Sequence, residues 1–171
     1  MDKEDIRKYL EGGDLRTIGG VNFLVPLIRD QKDFDLLFHY LRSKGRHIVM
    51  RAADAVEKIT LRHPEYLESH KGHLLGLIQS AEDKELKWHL SLLVSRLFLN
   101  DQELELVLAK LKEWASDPAE SRIVRVNALQ ALCDIKDQDP GLEKDFRTLI
   151  GKLQKEEIAS INARIRKLKI S

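Results

Sequence analysis

Apolar residues recur along this chain every three or four positions, the spacing that lines one face of an α-helix. No stretch alternates with the period of two that a half-buried strand requires. The periodic runs predict helices near 2–11, 14–18, 21–29, 32–44, 47–62, 65–79, 83–99, 101–116, 121–136, 141–154 and 157–169. The breaks between them are chemically sensible. Gly12-Gly13, Gly19-Gly20 and Gly45 suit helix ends, and Pro64 and Pro118 suit first-turn positions. Asp117-Pro118 and Asp139-Pro140-Gly141 are turn signals. The fold class expected is all-α.

One run carries more apolar surface than a single core contact uses. In KELKWHLSLLVSRLFLN, residues 84–100, a turn of about 100° per residue gathers Leu86, Leu90, Leu93, Val94, Leu97 and Phe98 on one side. Trp88, Leu92 and Leu99 fall near the opposite pole, with Lys84, Lys87, His89, Ser91 and Arg96 between the two stripes. Two opposed stripes mean that the helix is covered from both sides or offers one side to something else.

The pattern also repeats. MRAADAVEKI at 50–59, WHLSLLVSRL at 88–97 and VNALQALCDI at 126–135 begin 38 residues apart. In this alignment Ala52, Leu90 and Ala128 coincide, as do Val56, Val94 and Leu132, and Ile59, Leu97 and Ile135. Each block follows another amphipathic run, LLFHYLRS, HLLGLIQS or LAKLKEWAS. Paired helices at such a period indicate a solenoid, in which each pair needs its neighbours to bury its apolar faces.

Asp117 at an inter-helix turn, then Val124-Arg125, then Ala128, Ala131 and Leu132, resembles the second helix of a HEAT repeat, and HPEYL at 63–67 is similar to the start of a first helix. The resemblance spans residues 30–136. Repeats one and two depart from it at Val49 and Lys87, where the family often has arginine. A fourth unit fits less well: aligning Ala163 with Ala128 needs a spacing of 35 and puts Lys167 where leucine is expected. Its stripe Ile158-Ile161-Ile165-Leu168 suggests a shifted register or a capping helix. The resemblance implies an α-solenoid of three to four antiparallel helix pairs, with units near 30–62, 63–100, 101–138 and 139–171 folding as one domain behind a short irregular cap at 1–29. It also implies a scaffold for protein partners.

Stacked repeats turn equivalent residues into surface ladders. Met50, Trp88 and Val126 share one outward position, and Asp54, Leu92 and Gln130 another. The ladder Arg51, His89 and Asn127 is polar throughout. The partner-binding residues expected are therefore Met50, Arg51, Trp88, His89, Leu92, Val126 and Asn127, with Trp88 as an anchor and the polar ladder as rim. Two other arrangements would cover the same strip: residues 1–29, which include NFLVPLIRD, folding back over it, or a homodimer.

Bulk properties narrow the function classes. A chain of 171 residues, 43% hydrophobic and 33% charged, suits a globular fold able to bury about 70% of its unfolded surface. A formal net charge of +1 gives no global pull toward nucleic acid or membrane. One cysteine, Cys133, allows no intrachain disulfide, and the charged start MDKEDIRKYL has no signal-peptide core. A cytoplasmic location is expected, with no membrane insertion.

Candidate chemistry is sparse. His70 and His73, with Glu68 nearby, share a helical face but lack the third and fourth ligands a zinc site needs, so no metal or cofactor is expected. No nucleophile elbow, phosphate-binding glycine loop or zinc-protease motif is present. Cys133 reads as a buried inert thiol. Trp88 with Arg51, Arg125 and Asp54 resembles the equipment of HEAT-like DNA glycosylases for alkylated bases. That alternative, or a HEAT-like DNA-binding protein, is weakened by Met50, Leu92 and Val126 standing where phosphate-gripping cations belong. The basic C-terminal run, six Lys/Arg and two Glu over residues 152–169, reads as a cap helix with its cations near the C-terminus.

Overall fold

The computed structural model describes residues 1–12 and 19–168, and every regular element among them is helical. The helix expected at 14–18 lies outside the described residues. The all-α expectation holds. Contacts divide the chain into two compact units, Met1–Lys71 and Gly72–Ser171.

In the first unit, α1 (Lys3–Leu10) starts on a reciprocal cap: Asp2 accepts from the Asp5 amide at 2.8 Å while Asp5 accepts from the Asp2 amide at 3.4 Å. The run expected at 21–29 is split, because Pro26 supplies no amide for an α-helical bond: α2 (Val21–Leu24) passes into a 3₁₀ turn, Val25–Leu27. Asp30 caps α3 (Gln31–Phe38), which tightens into a second 3₁₀ turn, His39–Arg42. Then comes α4 (Arg46–Thr60), on which α1, α2 and α3 all pack. Its buried Ala52, Ala53 and Ala55 let neighbours approach closely, while Val56 and Ile59 supply apolar bulk. A 3₁₀ segment, Pro64–His70, replaces the first half of the helix expected at 65–79. It is fastened to α3 by His70, whose ring stacks on Phe38 at 3.9 Å and whose Nε2 lies 2.7 Å from Asp35 Oδ1.

The second unit contains α5 (Lys71–Ser80, whose first residue ends the first unit), α6 (Lys84–Val94), α7 (Asp101–Ser116), α8 (Arg122–Gln138), α9 (Glu143–Gln154) and α10 (Ala159–Lys167). The shared element is α8, which packs against α6, α7, α9 and α10. Lys87, near the start of α6, pairs with Glu120 just before α8, and Gln138 at the end of α8 donates to the Ser95 carbonyl at 3.2 Å. Start lies beside start and end beside end, so α6 and α8 run in the same direction. Arg125 repeats the Lys87 device one helix on: its Nε donates to the Ala115 carbonyl at 2.9 Å, and its guanidinium grips Glu156, before α10, at 2.7 and 2.9 Å.

The long apolar run at 83–99 does not stay helical to its end. Helix α6 stops at Val94, and Arg96 and Leu97 make tight backbone bonds to Leu93 and Val94. Ser95 Oγ donates to the Leu92 carbonyl, a local alternative to the helical ladder. The wheel therefore loses its phase after residue 94. Phe98, expected in the core stripe, is instead 81% exposed.

Candidate interaction surface

Residues four apart on a helix share a face. On α6 the series Lys84, Trp88, Leu92 points away from the core, and Arg96 follows in the turn after the helix: Lys84 is exposed and the other three are half-buried. On α8 the series Arg122, Val126, Gln130, Asp134 does the same, with Arg122 exposed and the others half-buried. The intervening Leu90, Leu93 and Val94 on α6, and Ala128, Leu129, Ala131 and Leu132 on α8, are buried. Because the two helices pack together in parallel, the two series lie side by side. The result is an apolar centre of Trp88, Leu92 and Val126 with polar ends.

The structure brings four of the expected partner residues onto this face: Trp88, Leu92, Val126 and the half-buried Asn127. His89 sits beside Trp88, ring centroids 5.1 Å apart, but is itself buried at 4% exposure. Met50 and Arg51 belong to α4 of the first unit and are also buried. Arg51 is fully enclosed and donates from its guanidinium to the Leu10 carbonyl at 2.8 Å. Gly19, at φ +55°, passes so close that a Cβ there would stand 3.0 Å from Arg51 Nε. Within its unit, then, the N-terminal segment lies over Arg51. Leu99 is half-buried and, with the exposed Phe98, borders a cleft of about 210 Å³ beside Leu104 and Ile135.

Reading the sequence by ladders of three left out Lys84 with Arg122 and Arg96 with Asp134. Stepping four residues back from Trp88 and Val126 finds the first pair; Asp134 lies two such steps beyond Val126, and Arg96 stands in the turn after α6. Asp134 is the half-buried carboxyl of the face. Burial pushes it above the ordinary aspartate range, the Gln130 amide at 2.8 Å pulls it down, Asp137 raises it again, and Arg96 and Arg164 lower it. Arg164 of α10 donates to Gln130 Oε1 at 2.7 Å, so the polar end of the face is a connected network.

The charges that suggested nucleic-acid chemistry are committed elsewhere. Arg51 holds Leu10, Arg125 holds Ala115 and Glu156, and Asp54 pairs with Lys58 at 2.7 Å. Cys133 is buried, and desolvation, followed by the nearby Asp137, pushes its thiol up, away from a reactive thiolate. Among the described residues no three His, Cys, Asp or Glu side chains gather to hold a metal ion, and no helix is long and apolar enough to cross a membrane. Comparison with protein-family models, curated proteins and solved structures found no match.

Proposed function

We propose that this chain is a HEAT-like α-solenoid acting as a non-enzymatic interaction module, which holds a partner peptide or helix on the face made by the second helices of its hairpins. The sequence repeat supports this reading, and so does the packing of the second unit. There α6, α8 and α10 are the second helices, and α5, α7 and α9 the first. Lys87 and Arg125 occupy equivalent places in successive repeats, and each pairs with a glutamate, 33 and 31 residues further on respectively. One device used twice at the repeat spacing is what stacked copies of a unit produce.

The observation that carries the function is the half-exposed apolar centre Trp88, Leu92 and Val126 on two adjacent parallel helices. An aromatic anchor with aliphatic neighbours and a polar border is the composition of a binding hot spot. Trp88→Ala should leave the far-ultraviolet circular dichroism and the cooperativity of melting nearly unchanged, while abolishing retention of the partner that the wild-type chain captures. If Trp88→Ala unfolds the protein, the strip is core and the reading fails. Sedimentation equilibrium reads the dimer alternative: a wild-type dimer split by the same substitution makes a second copy the occupant.

A further inference from the structure

The α6–α8 face carries, at the end formed by Lys84 and Arg122, charges that the fold itself does not use. Lys84 is the first residue of α6 and Arg122 the first residue of α8, 38 residues later and therefore equivalent in the repeat. A cation at a helix start opposes the macrodipole, so neither residue is placed there to stabilise its helix. Both are exposed, and neither has an ion-pair or hydrogen-bonding partner among the described residues. Local rules broken at equivalent positions of adjacent repeats mark a functional requirement rather than a folding one.

Four carboxylates stand near this end, and two of them, Glu82 and Asp83, are exposed. Glu120 pairs with Lys87, Glu85 is buried, Asp83 precedes Lys84 as the N-cap of α6, and Glu82 stands in the preceding loop. One turn along each helix come Trp88 and Val126, with Ile123, 44% exposed, beside Arg122. At the far end Arg96 and Arg164 flank the single carboxyl of the face, Asp134. At the near end two exposed cations, Lys84 and Arg122, border the apolar centre, an arrangement complementary to a chain carrying acids and aliphatic side chains together. A nucleic-acid strand would need cations along the middle of the face, where Leu92 and Val126 stand beside the one ring of Trp88.

We infer that the occupant of this face is an acidic, aliphatic peptide segment, which places apolar side chains on Trp88, Leu92 and Val126 and carboxylates at Lys84 and Arg122. This rests on the reading of the face as an interaction surface and adds the chemistry of what is bound. The test is selection of a random-peptide phage library on the intact chain, repeated on the double variant Lys84→Glu, Arg122→Glu. Wild type should enrich peptides rich in Asp and Glu with interspersed Leu, Ile or Phe. The double variant should bind those peptides about 10- to 100-fold more weakly and should instead enrich basic ones. Trp88→Ala should weaken both sets. Neutral or basic peptides selected by wild type, or acidic peptides indifferent to the charge reversal, overturn the inference while leaving the interaction surface standing. Peptides indifferent to Trp88→Ala overturn the surface itself. Polyuridine bound by wild type and lost on charge reversal, with no acidic peptide enriched, assigns the cations to nucleic acid and overturns the inference too.

Discussion

Arg51 and Arg125 are among the largest buried side chains of the described residues, and each is held by a carbonyl at the end of a preceding helix. A buried guanidinium is tolerated only with its hydrogen bonds made. For Arg125 those bonds include a two-pronged grip on Glu156, so the side chain is both a spacer and a clamp. Replacing it with methionine keeps the bulk and removes the clamp. Arg125→Met should lower unfolding stability by about 2–4 kcal/mol in urea titration, and Arg125→Lys should recover only part, because one ammonium cannot replace Nε on the Ala115 carbonyl and Nη2 on Glu156 together. Asp134 gives a pH signature of opposite sense to a salt-bridged acid. Its folded pKa lies above the ordinary value because burial penalises the charge, so the folded state binds the proton more tightly than the unfolded chain does. That contribution is complete below the ordinary aspartate range and is lost as pH rises through the raised value. Asp134→Asn should therefore be more stable than wild type at neutral pH, with the difference vanishing below the ordinary aspartate range; denaturation across pH reads it directly.

Helix α7 shows how much of an element local sequence can specify. Its expected bounds, 101–116, match the structure because Asn100 and Glu103 form a reciprocal cap and Asp117-Pro118 closes the other end. Asn100→Ala should cost about 1 kcal/mol, measured as a shift of the urea midpoint at constant slope. At α6 and α5 the same reasoning ran out of information. Nothing between Ser95 and Asn100 breaks a helix by composition, yet Asn100 must be extended to cap α7, and the chain uses the residues before it to turn. Pro64–His70 reads as amphipathic helix but winds as 3₁₀, with Tyr66 accepting from Gln31 and His70 stacked on Phe38. Periodicity reports which residues want burial. It does not report which hydrogen-bond pattern gets them there. Likewise, Trp88 was visible as a candidate from its wheel position, whereas the burial of Arg51 was not, because it depends on Leu10 and Gly19 arriving from a distant part of the chain.

At the scale of the second unit, a cation on α6 pairs with a carboxylate just before α8, and a cation on α8 pairs with one just before α10. Lys87 and Glu120 are both largely enclosed, so Lys87→Glu alone should destabilise the fold by about 3 kcal/mol or more, through two apposed carboxylates. Adding Glu120→Lys should restore most of that loss, and the coupling from the double-mutant cycle measures the rung itself. Amide exchange should locate the damage in α6 and α8, since those are the helices that the pair joins. The direction of these rungs has a consequence for synthesis. In both, the cation precedes its carboxylate in the chain, by 33 and 31 residues. During synthesis Lys87 and Arg125 are therefore each made before the carboxylate that neutralises them. A chain ending before Glu156 lacks the carboxylate that Arg125 grips and leaves that guanidinium with the Ala115 carbonyl but without its counter-charge.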